Sequence, residues 1–278
     1  MERIDAHQHF WMYHPVRDAW ITDNMRVLQR DFLPDDLLPL LKTYGVSGCV
    51  AVQADQSEEE TLFLLDLAAR YPMVKAVVGW VDLQAADIDD RLRNLRRYPK
   101  LKGFRHIVEA EQHPDFLLHP AFLRGVESLG KAGFTYDLLV KPHQLDATLA
   151  FVHALPAQPL VIDHLAKPDI QRGIREPWAT QLAALAKQEH VYCKISGLVT
   201  EAHWERWEPA DFRFYMEHVL QVFGPSRVMY GSDWPVCTLA AEYRQVVDLV
   251  ADAISGFTEE EQHRIWYQNA VDFYGINT

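Results

Sequence analysis

"RIDAHQHFW", residues 3–11, is a short apolar run that ends in two histidines, His7 and His9, separated by one residue. In an extended strand, residues two apart point to the same side, so both imidazoles project together from the carboxyl end of a first strand. Seven more short apolar runs follow: 46–53, 74–81, 101–106, 134–140, 159–164, 191–196 and 227–233. Longer amphipathic stretches separate them. In "SEEETLFLLDLAARY" (57–71), Ser57 and Glu60 have capping-box spacing and leucines recur at helical intervals. Apolar strands alternating with helices predict right-handed βαβ units and a parallel sheet covered on both faces, and eight units close into a (β/α)8 barrel. A doubly wound open sheet is disfavoured, because no glycine-rich GxGxxG turn follows the first strand.

The chain has 278 residues with no Ser/Gly/Pro-rich linker, which predicts one barrel domain over 1–278. Its hydrophobic content of 49% suffices for a large core without disulfides. The formal charge of −12 argues against nucleic acid and anionic membranes, which need a basic surface, and favours a small ligand. Cys49, Cys193 and Cys237 show no CxxC spacing and read as free thiols of a reducing cytoplasm. No targeting segment or membrane span is evident, so a cytoplasmic location is expected.

A barrel of this kind carries its reactive groups at the carboxyl ends of its strands. Those ends hold His7 and His9, Arg105 and His106, Lys141 and His143, Asp163 and His164, Lys194 and Ser196, and Asp233. Neutral imidazoles ligate divalent metals or hydrogen-bond a substrate carbonyl. Asp233 reads as a general base facing His7 and His9 across the barrel, or else as a turn or N-cap aspartate. His164 reads as lining the site, whereas Asp163, by alternation, points to the other side of its strand and supports a neighbour. Arg105 and His106 form an oxygen clamp or an interstrand ion pair. Lys141 reads as a solvated loop lysine and His143 as the start of a helix, while Lys194 and Ser196 read as supports. Trp11, Trp80 and Trp234, at or just past strand ends, are candidates for an apolar or sugar-stacking wall.

"DAHQHFW" (5–11), "GFRHIVE" (103–109), "VIDHLAKP" (161–168), "KISGL" (194–198), "YGSDWPV" (230–236) and "NAVDFYG" (269–275) run in order along nearly the whole chain. Together they resemble the amidohydrolase-related family of metal-dependent-hydrolase fold, within it the sugar-lactone hydrolases acting on L-fuconolactone or L-rhamnonolactone. The resemblance implies a site of His7, His9, His164 and Asp233 that holds one divalent metal such as Zn²⁺ or none, and no organic cofactor. No bridging lysine or glutamate ends the fourth or fifth strand, so two metals are not expected. It also implies hydrolysis of a sugar lactone: Asp233 activates water, the histidines or their metal stabilise the oxyanion with Arg105, and His106 binds sugar hydroxyls. Two alternatives stand beside it, a metal-dependent decarboxylase of a small aromatic acid and a non-catalytic sugar-acid binding protein.

Overall fold

The computed structural model describes residues 1–277. Its strands are β1 (Ile4–Gln8), β2 (Gly48–Val52), β3 (Val74–Gly79), β4 (Leu101–His106), β5 (Thr135–Leu138), β6 (Leu160–Ile162), β7 (Val191–Ile195) and β8 (Val228–Tyr230). All neighbouring pairs are parallel, in the order β1 to β8. The sheet closes on itself where Asp233 N–H donates to the His7 carbonyl (2.8 Å) and His9 N–H donates to that of Trp234 (2.7 Å). This is a (β/α)8 barrel. The helices that cover it are α1 (Pro34–Thr43), α2 (Glu58–Arg70), α3 (Ile88–Leu95), α4 (Pro120–Lys131), α5 (Leu145–Ala154), α6 (Trp178–Ala186), α7 (Pro209–Phe223) and α8 (Tyr243–Ala253). Among the described residues no helix is long and apolar enough to cross a membrane.

Alternation along the strands sorts the two faces. Ile4, Val50, Ala76, Val161 and Met229 pack together with Phe273 and Tyr274 of the C-terminal helix α10 (Asn269–Tyr274), which follows the short helix α9 (Glu259–His263). Cys49, Phe104, Tyr136, Ile162, Cys193 and Tyr230 belong to the larger core that includes the helices. All three cysteines are buried and unbridged.

Two local expectations are corrected. Ser57 caps α2 by accepting from Glu60 N–H (3.2 Å), but the Glu60 carboxylate does not return to Ser57. It accepts instead from the N–H groups of Ala54 and Asp55, tying the β2 exit to the helix. The sixth and eighth strands also stop earlier than their apolar runs, at Ile162 and Tyr230. Beyond them the backbone turns left-handed, at His164 (φ 53°), Leu165 (53°), Ala166 (57°) and Lys167 (48°), and at Asp233 (57°). Non-glycine residues adopt that region only where surrounding contacts hold them in it.

Candidate active site

The HxH pair comes from an irregularity in β1. Asp5 faces outward, where its carboxylate accepts from Ser232 N–H (2.8 Å) and from the Tyr243 hydroxyl (3.1 Å) on α8. The pairing register with β2 shifts between Asp5 and Gln8, and His7 N–H also bonds to Asp5 (3.2 Å). After this shift His7 points inward, Gln8 faces Cys49 in the outer core, and His9 points inward again. The two imidazole Nε2 atoms lie 3.3 Å apart. Gly231 is needed beside them, since a Cβ there would sit 2.6 Å from the Cβ of His7.

His164 and Asp163 both reach this point. Asp163 keeps the inward parity of Val161, contrary to the expected outward direction, and His164 is brought in by the left-handed turn that follows. The His164 ring centroid is 4.4 Å from that of His7, and Gly197 (φ +62°) makes room for it, because a Cβ would lie 2.4 Å from His164 Nδ1. Asp233 does not face the histidines from across the barrel: β8 adjoins β1. Its Oδ1 is 3.3 Å from His9 Nε2, 3.9 Å from His164 Nε2 and 4.0 Å from His7 Nε2.

The far side of each ring determines what its Nε2 presents. The Val52 carbonyl, 2.8 Å from His9 Nδ1, can only accept, so Nδ1 carries a proton and the neutral form of the ring has its lone pair on Nε2. Arg105 Nη1, 3.2 Å from His7 Nε2, can only donate, which places the proton of the neutral His7 ring on Nδ1, 3.3 Å from Asp163 Oδ1 and 3.2 Å from Lys194 Nζ. His164 Nδ1 meets the Ser196 hydroxyl (2.8 Å), which donates or accepts and so permits either tautomer. Burial pushes the His7 imidazolium well below its usual range and that of His164 down to about 4, leaving both rings neutral near pH 7. Burial by itself would raise Asp233, but the histidines, His164 first, hold it below the ordinary carboxylate range.

Below the histidines lies a buried ionic layer of which the sequence showed only part. Lys194 Nζ is 2.5 Å from Asp137 Oδ2 and 3.0 Å from Asp163 Oδ1, and the Tyr274 hydroxyl also donates to Asp137 (2.8 Å). Arg105 donates to Asp163 Oδ2 (3.1 Å) and to the Gln53 carbonyl. Burial opposes ionisation of Asp163, yet Lys194, His7 and Arg105 together hold it well below its usual range. Burial pushes Asp137 up to about 6. Lys194 and Ser196 thus support the site as expected, whereas Asp137 was missed because it sits in mid-strand. Its signal was an acid inside an apolar run.

The cavity above this layer holds about 340 Å³, and His9, Arg105, His164 and Asp233 line it together with Trp20, Glu109, Lys141 and Lys167. The expected tryptophan wall lies elsewhere. Trp11 is buried against Trp20 and Phe32 and bonds to the Arg30 carbonyl. Trp234 packs on Phe10 and Phe32, and Trp80 donates to His106 Nδ1 (3.3 Å). His106 in turn bonds to Glu111 (2.7 Å) and stacks on Phe116, so it and the three tryptophans are outside the cavity lining. Trp20, in the long excursion after β1, supplies the aromatic wall instead. Lys141 Nζ is 3.8 Å from Glu109 Oε2, which makes it a partner of that carboxylate, and His143 falls in the turn Pro142–Gln144 before α5.

A family model described as amidohydrolase matches residues 4–276. The chain belongs to the amidohydrolase family. Among its relatives, an L-fucono-1,5-lactonase of Burkholderia multivorans is 41% identical over 99% of this chain and 96% of its own length. An L-fucono-1,5-lactonase of Burkholderia ambifaria is 38% identical with the same coverage. A crystal structure of an amidohydrolase from Burkholderia multivorans with bound Zn superposes with a TM-score of 0.94 at 39% identity, covering both chains fully. The histidine pair of β1 and the aspartate after β8 meet at the closing seam of the barrel.

The donor set fits one divalent cation. His7, His164 and Asp233 each offer a ligand atom, all within 4.8 Å of one another, and His9 Nε2 adds a fourth beside Asp233. Three imidazoles oriented from behind by a carboxylate, a carbonyl and a hydroxyl, with one carboxylate oxygen, match the chemistry of a Zn²⁺ site. Arg105 competes for the His7 lone pair. Among the described residues no second such cluster occurs.

Proposed function

We propose that this amidohydrolase opens a sugar lactone, L-fuconolactone or L-rhamnonolactone, to the free sugar acid. The enzyme is a hydrolase acting on a lactone ester, as its L-fucono-1,5-lactonase relatives are. The observation that carries the finer reading is the meeting of the Asp233 carboxylate with the imidazoles of His7, His9 and His164 beside a cavity that the Arg105 guanidinium also lines.

In this reading Asp233 Oδ1 takes a proton from water as the water oxygen attacks the lactone carbonyl. With its Nδ1 proton on the Val52 carbonyl, the neutral His9 ring presents a lone pair at Nε2 and orients that water as a second acceptor. The oxyanion is stabilised by Arg105 and by His164, whose Ser196 partner allows a proton on Nε2. Asp233 then returns the proton to the ring oxygen as the C–O bond breaks, which restores the carboxylate. His7, His9, His164 and Asp233 would hold a divalent cation, which when bound supplies Lewis-acid polarisation of a carbonyl oxygen.

A pH-indicator assay over an aldonolactone panel, run with and without a chelator, tests the reading. Proton release on a 6-deoxy aldonolactone is expected, with Asp233→Asn losing at least ~100-fold in kcat and changing KM less. Carbon dioxide release from hydroxybenzoates without lactone turnover would instead establish the decarboxylase. Near-normal kcat in Asp233→Asn, with His164→Ala inactive, would move the base to a histidine.

A further inference from the structure

Above the reacting cluster the cavity carries a second polar group with a different character. Glu109 follows β4 in a short turn that is pinned to the end of β5, its N–H donating to the Leu139 carbonyl (3.1 Å). Lys167 ends the left-handed run that begins at His164. Lys167 Nζ donates to Glu109 Oε1 (2.8 Å) and lies 3.8 Å from Glu201 Oε1. Burial opposes the charge on Glu109, but Lys167 and then Lys141 outweigh it and keep the carboxylate ionised.

The pair is only half satisfied. Glu109 Oε2 is buried, no protein group donates a hydrogen bond to it, and Lys141 stops 3.8 Å short. The ammonium of Lys167 has three donors and one close acceptor. Other polar groups of the lining are engaged locally: Gln56 accepts from Ile107 N–H (2.8 Å) and Thr200 donates to the Gly197 carbonyl (2.9 Å). The side chains of Leu139 and Val236 offer nothing to a hydroxyl, and Trp20 offers only an indole donor.

We propose that Glu109 and Lys167 form a hydroxyl-reading clamp, in which Glu109 Oε2 accepts from one sugar hydroxyl and Lys167 Nζ donates to its neighbour. The assignment rests on the lactonase reading above and adds what selects the lactone. A hydroxyl both donates and accepts, so a vicinal diol spans an anionic acceptor and a cationic donor held side by side. A buried site built for hydroxyls strongly rejects an analogue lacking them, because its own polar groups are then left unpaired. The clamp therefore discriminates polyhydroxylated lactones from bare rings of the same size. It acts on substrate choice, leaving the proton transfers to Asp233.

The test compares kcat/KM for L-fucono-1,5-lactone with that for δ-valerolactone, the same six-membered ring without hydroxyls, in wild type, Glu109→Gln, Lys167→Met and the double variant. The double variant removes both charges of the pair together, so neither is left facing an uncharged partner, and it remains informative if a single change impairs folding. Each folded variant is expected to lower the sugar-to-bare ratio at least ~10-fold, mainly by raising KM for the sugar lactone. A ratio within about twofold of wild type in the double variant overturns the clamp while the lactonase reading stands. A wild-type enzyme inactive on every lactone overturns that reading, and the clamp with it.

Discussion

The inward faces of β2 and β3 carry Val50, Val52, Ala76 and Val78, whereas the corresponding faces of β4 to β7 carry Arg105, Asp137, Asp163 and Lys194. One barrel interior is therefore apolar on one arc and ionic on the other. On the apolar arc the chain reaches the reacting cluster through backbone carbonyls: that of Val52 selects the His9 tautomer and that of Gln53 accepts from Arg105. On the ionic arc the side chains contribute, and each charge has an opposite partner. Stability and site geometry are separable on the first arc and coupled on the second.

That contrast is broken most strongly at Lys194, which is fully buried between two aspartates. Lys194→Met strands Asp137 and leaves Asp163 with Arg105 as its remaining cation, and is expected to cost about 3–5 kcal/mol in urea unfolding. A loss below about 1 kcal/mol would mean that the aspartates are compensated by other groups.

Asp137 sharpens the comparison through pH. Its folded pKa of about 6 lies above the ordinary 3.8, so its favourable contribution is complete below the unfolded value and is lost as pH rises through about 6. Relative to wild type, Asp137→Asn should gain stability as pH rises between about 4 and 7. A stability difference that is flat across that range would sink the assignment.

The smallest effect belongs to the apolar arc. Val78→Ala deletes buried methyl groups and should lower stability by about 1–2 kcal/mol while leaving kcat/KM on the best lactone within about twofold. A large kinetic effect there would show that the apolar arc, too, is coupled to the chemistry.

Much of this site could be read from the chain, for reasons tied to particular residues. His7 and His9 were legible because alternation resumes after the register shift in β1, and Asp233 because it follows the last apolar run. Asp163 was assigned the wrong direction, since period-two reasoning fails once the backbone leaves β6 for left-handed geometry at His164. Arg105 and His106 are adjacent in sequence but point to different environments, one into the barrel and one onto Phe116. Trp11 and Trp234 follow strand ends yet pack under the excursion after β1, because that segment needs a core of its own. Trp20 gave no signal, since nothing in a loop's sequence says where it folds back.

What the amino-acid sequence determined by itself was the alternation of eight apolar strands with amphipathic helices, and hence a parallel barrel with ionisable groups at one end. Periodicity is a property of neighbours along the chain, so it can be read without coordinates. Only the tertiary structure decided that β8 adjoins β1, that Val52 and Arg105 choose the tautomers of His9 and His7, and that Glu109 meets Lys167 above the site. Each of those is a contact between residues far apart in sequence, whose partner is chosen by barrel closure and by backbone turns that no local pattern encodes.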